Sequence, residues 1–173
     1  MTLKKKIAGR KAYRRGKGLE DKIERIAEIY KNNQSYVELI RNYDAMQKSK
    51  RGAFTVGKSS CDYSIFSPKG CGMIEAKARG GKSIRKDAVS EHQVEQLLRL
   101  KRINCIALVC VQLECDNPQS PIYLVDIDDW LKGDKKSHNA EDLKKIGREC
   151  EKVLGTLPDI WNTINQHYTY ITL

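Results

Sequence analysis

Residues 61–78, CDYSIFSPKGCGMIEAKA, constrain the fold of this chain more than any other stretch. Two largely apolar runs flank Ser67-Pro68-Lys69-Gly70, which is the composition of a hairpin with a tight turn. Side chains alternate across a strand, so Met73, Glu75 and Lys77 share one face while Ile74, Ala76 and Ala78 take the other. A turn centred between Pro68 and Lys69 sets Asp62 opposite Glu75, with Cβ atoms roughly 4.5–5.5 Å apart in a direct pair. Pro68 cannot adopt the positive φ that two-residue hairpin turns prefer, which leaves the register open. Any even-numbered slip still keeps both acids on one face. A carboxylate among buried residues is costly without a proton, a cation or a hydrogen-bonding partner. Asp62, Glu75 and Lys77 are therefore either an internal salt bridge or a working site.

The rest of the chain places this hairpin in a larger pattern. Its 173 residues suffice for one domain with a real core. Residues 1–16 read as a flexible basic arm ahead of a single domain, 17–173. Leu19, Ile23, Ile26 and Tyr30 recur at helical spacing from Lys17 onward, and 35–43 reads as a strand. The hydrophilic stretch 44–60 reads as a loop or a protruding hairpin. VSEHQVEQLLRLKRI (89–103) is a helix with Val89, Gln93, Leu97 and Leu100 on one face. CIALVCVQL and PIYLVDI are strands separated by the turn-rich ECDNPQS. A short turn at DDWL follows, and then a helix, AEDLKKIGRECEKVL (140–154), capped by Asn139. The order α–β–β–β–α–β–β–α predicts an α/β fold with a mixed sheet flanked by helices.

Charge and cysteine usage narrow the function classes. The formal charge of +10 favours an anionic partner, nucleic acid first. Eight Lys or Arg and no acid fall within residues 1–17. The six cysteines contain no C-x-x-C pair and the three histidines lie far apart, which argues against zinc. Cys105 and Cys110 lie in an apolar strand run, where a thiol behaves as a small hydrophobe. The start of the chain lacks the apolar core of a secretory leader, and no long apolar run suits a membrane, so the expected setting is the cytoplasm. GAFTVGKS (52–59) satisfies the phosphate-loop pattern, but the flanking MQKSKR and CDYSIF supply neither the preceding strand nor the following helix that the loop needs.

Two carboxylates held close repel unless something positive sits between them. Mg²⁺ suits such a pair, because it takes oxygen ligands and is commonly held by one or two carboxylates with a phosphate. Lys77 on the same face would offset charge building on that phosphate. The alternative is a structural Glu75–Lys77 pair with Asp62 capping the strand end.

Asp62 followed by Glu75-Ala76-Lys77 resembles the PD-(D/E)xK nuclease superfamily, with Cys61 in place of the proline before the aspartate. Glu20 in GKGLEDKI, the CDYSIF strand, EAKA and EHQVEQL, in that order over about residues 16–131, are similar to the RecU-type Holliday junction resolvases. The resemblance implies a restriction-endonuclease-like fold and metal-dependent, structure-selective cleavage of DNA. It makes Asp62, Glu75 and Glu20 metal-site acids served by Mg²⁺, with Mn²⁺ as a substitute. Lys77 becomes the catalytic lysine, and Gln93 the glutamine beside the active site. Gln93 also heads the apolar face of its helix, which turns it toward the sheet; as a bare residue it is an ordinary polar group near a helix start. The implied partner is branched double-stranded DNA, a four-way junction bound by a homodimer, encoded by a phage or a cell. Such resolvases project a stalk ahead of the aspartate strand, and here that segment is short and basic. The expected DNA contacts are Arg10, Lys11, Arg14 and Arg15 of the arm, Lys58 of the stalk segment, and Arg79, Lys82, Ser83, Arg85 and Lys86 of the loop after the catalytic strand. IYLVDIDDWL and the 140–155 helix are the candidate dimer surfaces.

Overall fold

The residues at helical spacing, Leu19, Ile23, Ile26 and Tyr30, form the buried face of helix α1, Leu3–Asn32. In this computed structural model, residues 3–33, 36–42, 46–48, 54–56, 61–68, 70–155 and 157–167 are described, with side chains from Arg14 onward except for 46–48, 54–56 and 166–167. The strands are β1 Glu38–Arg41, β2 Met46–Lys48, β3 Phe54–Val56, β4 Tyr63–Ser67, β5 Gly70–Ala78, β6 Ser83–Arg85, β7 Ile106–Gln112, β8 Ile122–Asp126, β9 Ser137–Asn139, β10 Gly147–Glu149, β11 Lys152–Val153 and β12 Leu157–Pro158. The remaining helices are α2 Glu91–Arg102, α3 Ile127–Leu131, α4 Ala140–Ile146 and α5 Ile160–His167.

Six strands form the main sheet in the order β1-β4-β5-β7-β8-β10. Only β5 and β7 run parallel; every other neighbouring pair in it is antiparallel. The expected α/β fold with a mixed, helix-flanked sheet is thus what forms. Tyr63, Ile65, Ile74, Leu108, Cys110 and Leu124 pack on one face against α1 and α5. Val109, Val111, Tyr123 and Val125 pack on the other against Leu97 of α2, Trp130 of α3 and Leu143 of α4. Each large apolar side chain so buried contributes about 1.5–3 kcal/mol. At Gly72 a Cβ would run into the backbone carbonyl of Ile106, so glycine there lets β5 lie against β7.

The structure departs from the sequence reading in several places. α1 begins at Leu3 rather than near Lys17, so residues 3–16, read as an arm, continue the helix. No proline interrupts residues 1–32, and Ala, Lys, Arg and Leu support a helix; Gly9, Gly16 and Gly18 each cost only about 1 kcal/mol. The helix expected over 140–154 stops at Ile146. Gly147 turns extended and lies so close to β8 that a Cβ would meet the Leu124 carbonyl, and the chain continues as β10. α5 was not anticipated; Tyr30 holds its start by donating to Asp159 (3.1 Å) and accepting from the Trp161 N–H (2.8 Å). In the 44–60 stretch, β2 and β3 pair as an antiparallel ribbon. Tyr123, Val125, Ile127 and Trp130 of IYLVDIDDWL are fully buried in this chain's own core, while Leu131 is exposed.

Candidate active site

The β4–β5 register brings the two acids together. Tyr63 pairs with Ile74 and Ser67 with Gly70, which centres the turn between Pro68 and Lys69 and sets Asp62, just before β4, across from Glu75. Gly70 carries the positive φ, +131°, that Pro68 cannot adopt. Asp62 Oδ2 accepts from the Ala76 N–H at 2.8 Å, and the Asp62 carbonyl accepts from the Asn42 N–H at 2.8 Å. Asn42 also donates through Nδ2 to the Cys61 carbonyl at 2.9 Å. Asp62 is thereby clamped between β1 and β5 at the point where β4 begins.

Glu75 points to the α2 side of the sheet and is 0% exposed. Its Oε1 accepts from Lys77 Nζ and from Gln93 Nε2, the latter at 2.7 Å. Its Oε2 is buried with no hydrogen-bond partner. Burial lifts the Glu75 carboxyl to about 7, the neighbouring Asp62 charge adds to the rise, and Lys77 opposes it. A bare buried carboxylate oxygen beside a second carboxylate is costly as an anionic pair, and the charge it lacks is positive. Asp62 and Glu75 therefore fit a hard divalent cation in donor type and in the oxygen left open.

Glu20 has different partners. It lies on α1, which packs on the opposite face of the sheet, and its carboxylate pairs with Arg41, which also holds Glu24. Among the described residues, no group of three His, Cys, Asp or Glu is placed to hold a metal ion. The structure thus brings together Asp62, Glu75, Lys77 and Gln93, and leaves Glu20 in an ion-pair network of its own.

The expected DNA contacts divide by their surroundings. Arg14, Arg79, Lys82 and Ser83 are exposed. Arg15 pairs with Asp116, and its guanidinium lies over Gly80, where a Cβ would collide with it. Arg85 pairs with Asp87 at the surface. Lys86 donates to the carbonyls of Leu131, Lys132 and Gly133 at 2.7–3.0 Å and so caps the end of α3 instead of reaching outward. The segment read as a loop after the catalytic strand contains β6, which pairs with β9. The side chains of Arg10 and Lys11, and Lys58 as a whole, lie outside the described residues.

Two residues that serve the site were missed in the sequence. Ser90 was detectable, because Ser90-Glu91-His92-Gln93 is a capping-box spacing at the start of a helix. Asn42 carried no local signal; only tertiary pairing reveals its hold on Asp62.

Fold and site together define an α/β protein with a carboxylate pair, a lysine and a glutamine gathered on a mixed sheet. No protein-family model matches the chain, and a search of curated proteins finds no match. Among solved structures it is similar to Hjc of Archaeoglobus fulgidus, a Holliday junction resolvase from an archaeal hyperthermophile. Identity is 19%, the TM-score is 0.49, and the match covers 73% of this chain and 90% of that one. Among the described residues no helix is long and apolar enough to cross a membrane.

Proposed function

We propose that this chain is a metal-dependent DNA endonuclease of the PD-(D/E)xK kind, acting on branched DNA as a homodimeric four-way junction resolvase. The observation that carries the nuclease reading is the bare, buried Oε2 of Glu75 beside Asp62, with both available donors directed to the other oxygen. Asp62 and Glu75 would hold Mg²⁺, or Mn²⁺ in its place. Bound there, the cation supplies Lewis acidity toward a phosphodiester oxygen. Lys77, partly exposed, offers its ammonium charge and a proton at the edge of the carboxylate pair. Gln93 keeps Glu75 in place. The exposed Arg14, Arg79, Lys82 and Ser83 and the +10 net charge serve the DNA backbone. Preference for a branched substrate and action as a dimer rest on the four-part sequence resemblance.

The test is cleavage of labelled four-way junction, duplex and single strand, with Mg²⁺ or with chelator, by the wild type and by Asp62→Asn. Paired nicks in the junction that need both the cation and Asp62 are expected. Cleavage of duplex and junction at equal rates would replace the resolvase by another nuclease. Cleavage surviving in Asp62→Asn would remove the metal site, and binding without any cleavage would leave a DNA-binding module.

A further inference from the structure

The side-chain amide of Gln93 has a single orientation open to it. Its Oε1 accepts from the Ser90 backbone N–H at 3.1 Å and from the Ser90 hydroxyl at 3.0 Å. A backbone N–H can only donate, so the amide end that faces Ser90 is the oxygen. Nε2 is thereby turned to Glu75 Oε1, 2.7 Å away. The Ser90 Oγ accepts in return from the Gln93 N–H at 3.4 Å, which closes the capping box. Since Lys77 donates to the same Oε1, both donors fall on one oxygen of Glu75 and the other is left open.

We propose that Ser90 is a positioning residue of this site: through Gln93 it fixes which oxygen of Glu75 is presented to a divalent cation shared with Asp62. The inference rests on the metal-dependent reading given above. It asks more of residue 90 than capping a helix. Many residues cap by accepting from the backbone N–H three positions on. Ser90 must also donate to the Gln93 oxygen, and threonine can do both. Aspartate can do only the first, because its ionised side chain has no proton to donate. Its negative charge would face the amide oxygen, favour rotation of the amide, and take Nε2 away from Glu75.

Ser90 is exposed, so substitutions there disturb no packing. The experiment compares wild type, Ser90→Thr and Ser90→Asp by thermal melting, by calorimetric titration with Mn²⁺, and by NOEs from the Gln93 side-chain amide protons to the Glu75 side chain in metal-free protein. Ser90→Thr should match wild type in all three. Ser90→Asp should keep the melting temperature but bind Mn²⁺ about tenfold more weakly or worse, the usual cost of losing a group that orients a ligand. Its Gln93 amide protons should also lose their NOEs to Glu75. A purely capping role would leave the Mn²⁺ affinity of Ser90→Asp at the wild-type value, and that result overturns the proposal. Should wild type itself bind no Mn²⁺, the metal-dependent reading fails on its own. The metal-free spectra then decide the role of Ser90: NOEs from the Gln93 side-chain amide protons to the Glu75 side chain that persist in Ser90→Asp refute it, and their loss in Ser90→Asp but not in Ser90→Thr upholds it.

Discussion

Replacing Glu75 by glutamine removes a buried ionisable group while keeping its shape. In the folded chain the carboxyl is lifted from its ordinary 4.5 to about 7, first by burial and then by Asp62. A group raised in this way favours the folded state while it is protonated there. Its contribution is complete below the unfolded value and is lost as pH rises through the folded one. Between about pH 4.5 and about pH 7 the metal-free wild type should therefore lose about 3 kcal/mol that the Glu75→Gln variant does not lose. The side chain is 0% exposed, so solvent screening does not reduce this figure. Every other titrating group is shared by the two proteins and largely cancels in the difference. Urea unfolding in chelator across that range, with the m-value held constant, measures the difference directly. The variant should gain on wild type steadily through the range and level off above it. Two curves that stay parallel throughout would refute the account of Glu75 as a buried, charge-starved carboxylate.

Four further outcomes follow from the same geometry. Asp62→Asn should shift the Glu75 titration back toward the ordinary carboxyl range and Lys77→Met should push it higher, both read as a moved midpoint of the stability difference between each variant and the same variant carrying Glu75→Gln. Gly72→Ala should cost about 1–3 kcal/mol because the added methyl meets the Ile106 carbonyl, whereas Gly81→Ala, which faces open space, should be close to neutral by the same unfolding assay. Native maleimide labelling followed by peptide mass mapping should modify Cys71 before Cys61, Cys110 and Cys150, which are buried, with Cys61 and Cys150 pushed up to about 12. Arg14→Gln and Lys82→Gln should each reduce the slope of log affinity against log salt for duplex DNA by about 0.9, and an unchanged slope would place that side chain away from phosphate.

What the sequence made legible was set by short-range periodicity. The hairpin could be read because its alternation and its turn lie within 18 residues, and the observed register is the one centred on Pro68 and Lys69. α2 could be read because its apolar face and its cap are contiguous. The pairing of β6 with β9 joins residues more than fifty positions apart, so the charge of ARGGKSIRKD concealed a strand. Lys86 looked like a phosphate contact for the same reason: nothing near it announces the three carbonyls it caps. The end of α4 depended on how closely Gly147 approaches β8, a distance that no local pattern encodes.

The site shows the same division, with a consequence for how it is built. Asp62, Glu75 and Lys77 follow from period-two alternation and Gln93 from helical spacing, so each was visible from its own element. Their convergence depends on two elements meeting across the second face of the sheet, where Leu97 packs with Val109 and Val111 and seats α2 over β5 and β7. Glu20 also satisfied its local pattern, yet α1 packs on the first face and gives that carboxylate to Arg41. The face on which a helix docks therefore decides which partners a locally patterned acid meets. The conflict first seen in the hairpin, acids among residues that seek burial, persists in the fold as one oxygen without a partner. A chain that needed only an internal salt bridge could have satisfied both oxygens of Glu75 with the two donors at hand. Here both donors are spent on one oxygen, and the other stays bare with the Asp62 carboxylate close by, so what the pair lacks is a proton or, under the proposed function, a cation.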